Sequence, residues 1–502
     1  MTALNRAWAR LTFVALSVAM LGAAASATVR VPVYGDDFRL SQQTFAQFDG
    51  SIWDVFTTAA TSGWQANRFN PVGRFFAFNY HFWMHESAVL SGIGMHWFYR
   101  AGSFVLLLLL VLSASYAFKR AIVFMHEKNE QVPGVLVFAS LSAFLALTLQ
   151  LHPWSHDPTM TISEIGLASG AISFFYLGLC FRFGRSPGRW SSLVIALVSA
   201  GATMFYETTI AAIVAGAVVW AALVWRARRH REGMLRPVML LVAGTVVPLL
   251  VFVLGRMYVA TMDLAPYPGT ELALRAAGFR PMAMLLLGMI PGTAWGESAS
   301  YADGISFSAP AMTASAVIVV ALILTVLMAR KRWVGLQASR SVALVAVVFG
   351  ILALLTLIMH AFTEKYISEI TKPGQIYLSY TMLMLVTGML VLGVILRIRS
   401  GRALVALILL LPLASGFVVV QQAVDWSVAE QAATVNAPNR SLMHLSSKWE
   451  PDAQRRCSVL EAWQNSHKWP AYYVQAVTDG VQKNYRLSFG IAFCPSLPSR
   501  PS

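Results

Sequence analysis

The sequence predicts an all-α polytopic membrane protein with about eleven transmembrane helices. Of the 502 residues, 57% are hydrophobic and only 12% are charged, which is half the charged share of an ordinary soluble domain. The apolar residues are also grouped into runs long enough to cross a bilayer, which takes about 20 residues of helix. These two observations exclude a disordered chain, a coiled coil and a soluble enzyme.

Eleven apolar runs satisfy the length needed for a span. In chain order they lie at about 9–27, 101–118, 133–151, 163–181, 190–205, 208–225, 237–256, 311–329, 341–361, 376–396 and 403–421. The fifth and sixth runs predict a tight hairpin that is broken around residues 206–208. The stretch 281–290 is too short to span, and we expect it to lie at the membrane interface.

Lys and Arg placement predicts the orientation of these spans. Twenty of the 38 Lys and Arg residues fall in the six short segments that face the cytoplasm if the N-terminus is cytoplasmic. Eleven spans then place the C-terminus on the extracytoplasmic side, here called the outer face. This bias accounts for the net charge of +15. A nucleic-acid partner would need a basic stripe on a folded face, and the sequence shows no such stripe.

The start of the chain has an alternative interpretation. Arg6, Arg10 and the apolar run that leads to Ala25-Ser26-Ala27 also fit a cleaved secretory signal. We favour an uncleaved first span because the apolar run reaches nearly the full length of a span.

Long segments at about 28–100, 257–310 and 422–502 all lie on the predicted outer face, where loops on a rigid scaffold often carry function. We therefore expect a transmembrane domain over residues 1–421. A small extracytoplasmic domain is expected over residues 422–502.

The C-terminal segment contains two of the three cysteines, Cys457 and Cys494. Two cysteines in one extracytoplasmic region predict a disulfide, with two free buried thiols as the alternative. Aromatic residues in this segment could stack on sugars, although core packing is their commoner use.

The first outer loop begins with an acidic pair, Asp36 and Asp37, directly after the first span. The rest of the loop is rich in aromatic and Arg residues, including Arg68 and Arg74, a mixture that suits helices in the headgroup layer. The acidic pair suits proton transfer, and a helix-capping turn is the alternative interpretation.

Other ionisable residues gather at the predicted outer ends of helices. His152, His156 and Asp157 share one short turn, and two histidines alone fall short of a zinc site. We expect this turn to bind substrate or to assist proton transfer, with a solvated turn as the alternative. The remaining substrate-binding candidates are Glu207 in the hairpin break, Arg256 and Tyr258 at the end of the seventh span, and Lys365 in the fifth outer loop. The alternatives are a water-exposed hairpin tip for Glu207, and general anchoring to lipid phosphate for Arg256 and Lys365.

This pattern resembles the GT-C glycosyltransferases, which are integral-membrane enzymes that use a polyprenyl-phosphate sugar as donor. The resemblance rests on one span followed at once by Asp36-Asp37, on the segment Arg68-Phe69-Asn70-Pro71-Val72-Gly73-Arg74, and on His156-Asp157-Pro158. The acidic pair followed by a Trp and a Gly-Arg is also loosely similar to bacterial GtrII-type transferases that decorate surface polysaccharide. The resemblance covers residues 1 to about 420.

The resemblance implies a GT-C-like helix arrangement, a bacterial inner-membrane location, a polyprenyl-phosphate sugar donor and a cell-envelope glycan or glycolipid acceptor. A first-loop Asp would be the general base, and we favour Asp36 over Asp37. Asp157, with His156 beside it, would orient the acceptor. The cations expected to bind the donor phosphate are Arg68, Arg74 and Arg256. No cofactor is certain, and a divalent metal is left open because some members of the family use one.

Two other functions compete with this interpretation. A transporter or flippase of lipid-linked saccharide would be expected to carry internal repeats and broken helices at mid-depth. A non-catalytic subunit of an envelope assembly complex would tolerate replacement of its acids. The short inner loops carry no glycine-rich phosphate loop, so a reaction driven directly by a nucleotide on that side is not expected.

Overall fold

A computed structural model gives the structure of the chain. It describes residues 3–62, 68–125, 133–152, 157, 159, 161–231, 233–262, 264, 273, 276–333, 342–373, 380–395, 400–466 and 469–495. These residues form helices and connecting turns, without a β-strand among them. The predicted all-α class is therefore confirmed for the described part of the chain.

Among the described residues, eight helical segments are long and apolar enough to cross a membrane. They are α1 (Ala3–Ala24), α5 (Met95–Met125), α7 (Ser163–Arg185), α9 (Thr209–His230), the continuous pair α10 (Leu235–Leu241) and α11 (Val247–Ala260), α14 (Ala309–Trp333), α15 (Val342–Ala361) and α18 (Ser400–Val435). A π-helical turn at Val242–Val246 joins α10 to α11. The chain is a polytopic membrane protein.

Three further predicted spans coincide with shorter apolar helices: α6 (Gly134–Thr148), α8 (Ser191–Thr203) and α17 (Tyr380–Ile395). A helix of 15 residues, such as α6, rises only about 22 Å, which is less than the hydrocarbon thickness. The number of about eleven spans and the GT-C-like arrangement therefore stay predictions. The short apolar stretch after the seventh span forms α12 (Phe279–Gly288).

Three helices follow α1 in the first outer loop: α2 (Gly35–Gln47), α3 (Ile52–Thr58) and α4 (Pro71–Ser91). Helix α4 packs against α2, α3, α5 and α7. At its start, the backbone N–H groups of Val72 and Gly73 donate to the carbonyl of Met204 in the turn between α8 and α9. The contact is so close that a Cβ on Gly73 would lie 1.9 Å from the carbonyl oxygen of Phe205.

Close packing of α5 on α7 forms the centre of the core. Gly178 on α7 faces Tyr116 of α5, and a Cβ there would lie 2.3 Å from the ring. Gly170 faces Leu110 in the same way. Small residues at such positions let membrane helices approach closely and gain dispersion energy. This gain matters in a bilayer, because lipid tails are as apolar as the side chains and no hydrophobic effect drives the helices together.

The last helices are α18, α19 (Ala437–Ser446), α20 (Ala453–Ser466) and α21 (Ala471–Phe489). The predicted domain boundary at 421/422 lies inside α18, which continues without a break to Val435. Cys457 and Cys494 are joined by a disulfide with their Cα atoms 4.9 Å apart. Two short helices complete the list: α13 (Trp295–Tyr301) and α16 (Glu364–Glu369).

The C-terminal helices pack directly on α2. The Tyr473 hydroxyl donates to the carbonyl of Gly35 at 2.8 Å, and the Asn484 amide donates to the carbonyl of Gln42 at 2.7 Å. The ring of Trp463 lies 5.6 Å from that of Phe38. The C-terminal helices therefore hold α2, the helix that carries Asp36 and Asp37, in place.

Candidate functional site

The acidic pair occupies the first turn of α2, where the helix dipole favours negative charge. Asp37 is buried, with 1% of its surface exposed. Asp36 keeps 49% of its side chain exposed and pairs with Arg39 at 3.3 Å. The two acids predicted as one motif therefore lie in different environments.

Asp37 meets two residues from distant parts of the chain. Ligating atoms of Asp37 on α2, His81 on α4 and Glu164 on α7 all lie within 4.8 Å of one another. All three side chains are buried. We call Asp37, His81 and Glu164 the buried triad.

The turn before α7 fixes the carboxylate of Asp37. Its Oδ1 accepts the backbone N–H of Ile162 at 2.8 Å. Ile162 has a φ of 52°, a left-handed conformation that is uncommon for a β-branched residue. Such strain persists only where the surroundings impose it, and it is frequent at functional sites.

His81 is held by Tyr99 of α5, whose hydroxyl lies 2.6 Å from Nδ1. Its Nε2 lies 3.4 Å from Oε1 of Glu164. Burial lowers the pKa of His81 to about 4, against the opposing effect of the Asp37 charge. Burial raises the pKa of Asp37 well above its usual range, and the neighbouring Glu164 raises it further. The imidazole is therefore neutral near pH 7.

A cavity of about 320 Å³ lies between the end of α1 and the starts of α5 and α7. Its lining is mostly apolar, with Arg100, Ser103 and Thr159 among the polar residues. The Ser103 hydroxyl is 2.8 Å from that of Ser163, which directly precedes Glu164. The cavity wall is therefore hydrogen-bonded, through Ser103, to the residue that directly precedes Glu164.

Asp157 shapes its own loop rather than joining the triad. Its carboxylate accepts the backbone N–H groups of His152 and Thr159 at 2.9 and 2.8 Å, and the Thr159 hydroxyl at 2.6 Å. Burial raises the pKa of Asp157. This loop leads into Ile162, so Asp157 helps to position the donor to Asp37. His156 lies outside the described residues.

Glu207 and the predicted phosphate-binding arginines form a second group, which we call the arginine cluster. Arg68 pairs with Glu207 at 3.5 Å and lies over the ring of Tyr206, 5.1 Å from its centre. Arg74 donates to the side chain of Asn70 and to the carbonyl of Ser62, both at 3.1 Å.

Arg256 extends the arginine cluster from α11, which packs on the neighbour of Arg68 where Gly255 meets the ring of Phe69. Burial lowers the pKa of Arg74 to about 10, and the charge of Arg68 acts in the same direction. Arg74 and His81 are seven residues apart on α4, so they project from the same side of the helix about 10 Å apart. Helix α4 therefore links the arginine cluster to the buried triad.

The two remaining candidates lie elsewhere on the predicted outer helix ends. Tyr258 is 57% exposed near the end of α11. Lys365 belongs to α16, and its ammonium lies 5.5 Å from the centre of the Tyr366 ring.

His81, Glu164 and Tyr99 are not among the residues predicted from the sequence. Each stands within or beside an apolar or aromatic run, where an ionisable residue is costly and therefore a functional candidate. That signal was present in the sequence for Glu164, the second residue of α7. A fourth missed residue, Asp425 of α18, accepts the backbone N–H of Leu151 at 2.8 Å and holds the other end of the Asp157 loop.

No protein-family model matches the chain, and no curated protein or solved structure is significantly similar to it. The function must therefore be argued from the buried triad, the cavity and the arginine cluster.

Proposed function

We propose that the chain is an integral-membrane glycosyltransferase that moves a sugar from a polyprenyl-phosphate donor to a cell-envelope glycan or glycolipid acceptor. The observation that carries the proposal is the buried Asp37, which meets His81 of α4 and Glu164 of α7, while the arginine cluster lies two turns from His81 along α4. The apolar-lined cavity adjoins the start of α7 through Ser103.

The reaction needs a base and a set of cations. The acceptor hydroxyl forms a bond to the anomeric carbon while its proton passes to a carboxylate. The bond from that carbon to the phosphate oxygen breaks, and the lipid phosphate leaves with the electron pair. Cations stabilise the charge that develops on this leaving group.

We assign the base to Asp37 rather than to Asp36. A carboxylate whose pKa is raised by burial is a better proton acceptor than an exposed one. Asp36 is half-exposed and paired with Arg39, so its environment is the solvated one. The preference for Asp36 drawn from the sequence is therefore replaced.

The cavity and the arginines suit the two ends of the donor. The cavity is at the small end of the range for ligand pockets, and its apolar lining fits the first part of an isoprenoid chain. Arg68, Arg74 and Arg256 provide charge for the phosphate. The disulfide in the C-terminal segment favours an extracytoplasmic location for this face.

A transfer assay tests the proposal. Membranes that contain the wild type, Asp37→Asn or Asp36→Asn are given a radiolabelled polyprenyl-phosphate sugar, and glycan labelling is measured. We expect Asp37→Asn to lose about 100-fold or more in rate, because a general base contributes about 10²–10⁴. Asp36→Asn is the matched control and should keep most of its activity.

Two results would contradict the proposal. Normal transfer by Asp37→Asn would remove the base assignment. Movement of lipid-linked saccharide across vesicles without formation of a glycosidic bond would instead favour a transporter or flippase.

A further inference from the structure

The buried triad has the composition of a metal site. It combines one imidazole with two carboxylates, contributed by helices α2, α4 and α7. Imidazole nitrogen favours zinc and other transition metals over magnesium or calcium, and carboxylate oxygen is a ligand for both groups.

The triad also contains buried polar atoms whose hydrogen bonding is unmet. Within the described part of the chain, both carboxylate oxygens of Glu164 and Nε2 of His81 have no hydrogen-bond partner. Glu164 and His81 are 0% and 1% exposed. Burying a carboxylate in this way is costly unless a proton or a cation satisfies it.

The geometry of His81 fits a ligand that is oriented by a second residue. Ligating histidines usually engage their other ring nitrogen in a hydrogen bond, and here Nδ1 meets the Tyr99 hydroxyl at 2.6 Å. Nε2 then faces Oε1 of Glu164 at 3.4 Å. Two atoms bound to one tetrahedral Zn²⁺ are separated by about 3.3–3.4 Å, because each lies about 2.0–2.1 Å from the ion.

We propose that Asp37, His81 and Glu164 bind a divalent transition-metal ion, and that this ion is Zn²⁺. Three protein ligands leave a coordination position for water or a substrate hydroxyl, as in catalytic zinc sites. Cation binding here does not depend on glycosyl transfer. Where transfer occurs, a hydroxyl bound to the ion would lose its proton more readily, and the carboxylate oxygen of Asp37 that does not bind the ion would accept that proton.

Metal uptake by the purified full-length chain tests this site. The protein is stripped with a chelator in detergent, incubated with Zn²⁺ or Co²⁺ and desalted, and its metal content is measured by mass spectrometry. We expect about one ion per chain, and visible absorption of Co²⁺ typical of a tetrahedral nitrogen–oxygen site.

Substitutions test whether the ion binds at the buried triad. Glu164→Gln keeps the shape of the side chain but removes its charge, and we expect at least a tenfold loss of affinity. His85→Gln is the matched control, because His85 is also buried on α4, one turn from His81, and stacks on Phe45. Asp36→Asn is the control for the adjacent acid. Gel filtration and thermal unfolding report whether each variant folds.

The proposal is overturned if folded, stripped wild type takes up neither ion, or if Glu164→Gln binds as tightly as the wild type. In that case the triad holds a proton instead of a cation. If the variants do not fold, the wild-type Co²⁺ spectrum decides. Metal binding without transfer activity would leave this site standing and would count against the proposed function alone.

Discussion

At the scale of single residues, the tandem acids of α2 illustrate how adjacent positions acquire different chemistry. Successive helical residues point about 100° apart, so Asp37 faces the interior while Asp36 faces Arg39. Burial, and not residue type, makes Asp37 the stronger candidate for function. His152 is a second case, since it is completely buried and its ring packs edge-on to Tyr380 at 5.6 Å.

His152 should make the protein sensitive to acid. Burial lowers its pKa from 6.5 to about 3, so only the unfolded chain takes up a proton between these values. The contribution of His152 to the free energy of unfolding should therefore fall by about 1.4 kcal/mol per pH unit as the pH drops below 6.5. His152→Phe should reduce the drop in melting temperature between pH 7 and pH 5, measured in detergent. The exposed His230, changed to Gln, should leave it unaltered.

Part of the site could be predicted from the sequence and part could not. Asp37 could be predicted as a candidate, because an acidic pair directly after a span is a local pattern in the sequence. The meeting of His81 and Glu164 with Asp37 could not be predicted, because it depends on how α2, α4 and α7 pack, and the separation of the three residues in the chain carries no periodic signal. Glu164 also stands at a helix start, where a carboxylate has an ordinary explanation in the helix dipole.

At the scale of elements, α4 matters because it joins the arginine cluster to the buried triad. Its position along the bundle is set where its first turn meets the backbone between α8 and α9. Gly73 permits that contact, since no side chain stands between the two backbones.

Gly73→Ala should disturb this joint. The added Cβ would lie 1.9 Å from the carbonyl oxygen of Phe205, and a backbone atom cannot move aside as a flexible side chain can. We expect a loss of about 1–3 kcal/mol in stability and a reduced transfer rate. Gly350→Ala is the control, because its Cβ would meet nothing within 4 Å. Equal melting temperatures for the two variants would contradict the importance of this contact.

The helices themselves were largely predictable, because apolar runs of span length leave few alternatives. The break between α8 and α9 was also predicted. The continuation of α18 beyond residue 421 was not, since hydropathy declines there. The reason is packing: Val424, Val428 and Ala432 repeat every four residues and are buried on one side of the helix.

At the scale of the whole molecule, the two ends of the chain constrain the number of crossings. Ala27 and Val31, just after α1, pack in one cluster with Val424 and Val428 of α18. The end of α18 therefore lies at the same end of the bundle as the first loop. If α1 crosses, the tail is opposite the N-terminus and the number of crossings is odd. Eight candidate spans is an even number, so either a shorter apolar helix crosses too or one of the eight does not cross.

Reporter fusions can check this sidedness. Alkaline phosphatase fused after residue 495 should be active, because the enzyme requires an oxidising compartment, and a green fluorescent protein at the same place should stay dark. The same pair placed in the turn at residues 186–189 should give the reverse pattern. A fluorescent C-terminal fusion would refute the odd number of crossings.

The hydrogen bonds between α21 and α2 have a consequence for the biogenesis of the protein. Ribosomes deliver α2 long before α21, yet Asn484 and Tyr473 are hydrogen-bonded to the α2 backbone in the folded protein. The nascent chain can thus complete the packing of α2 only after α21 has been synthesised. Final positioning of the acidic pair is thereby coupled to synthesis of α21.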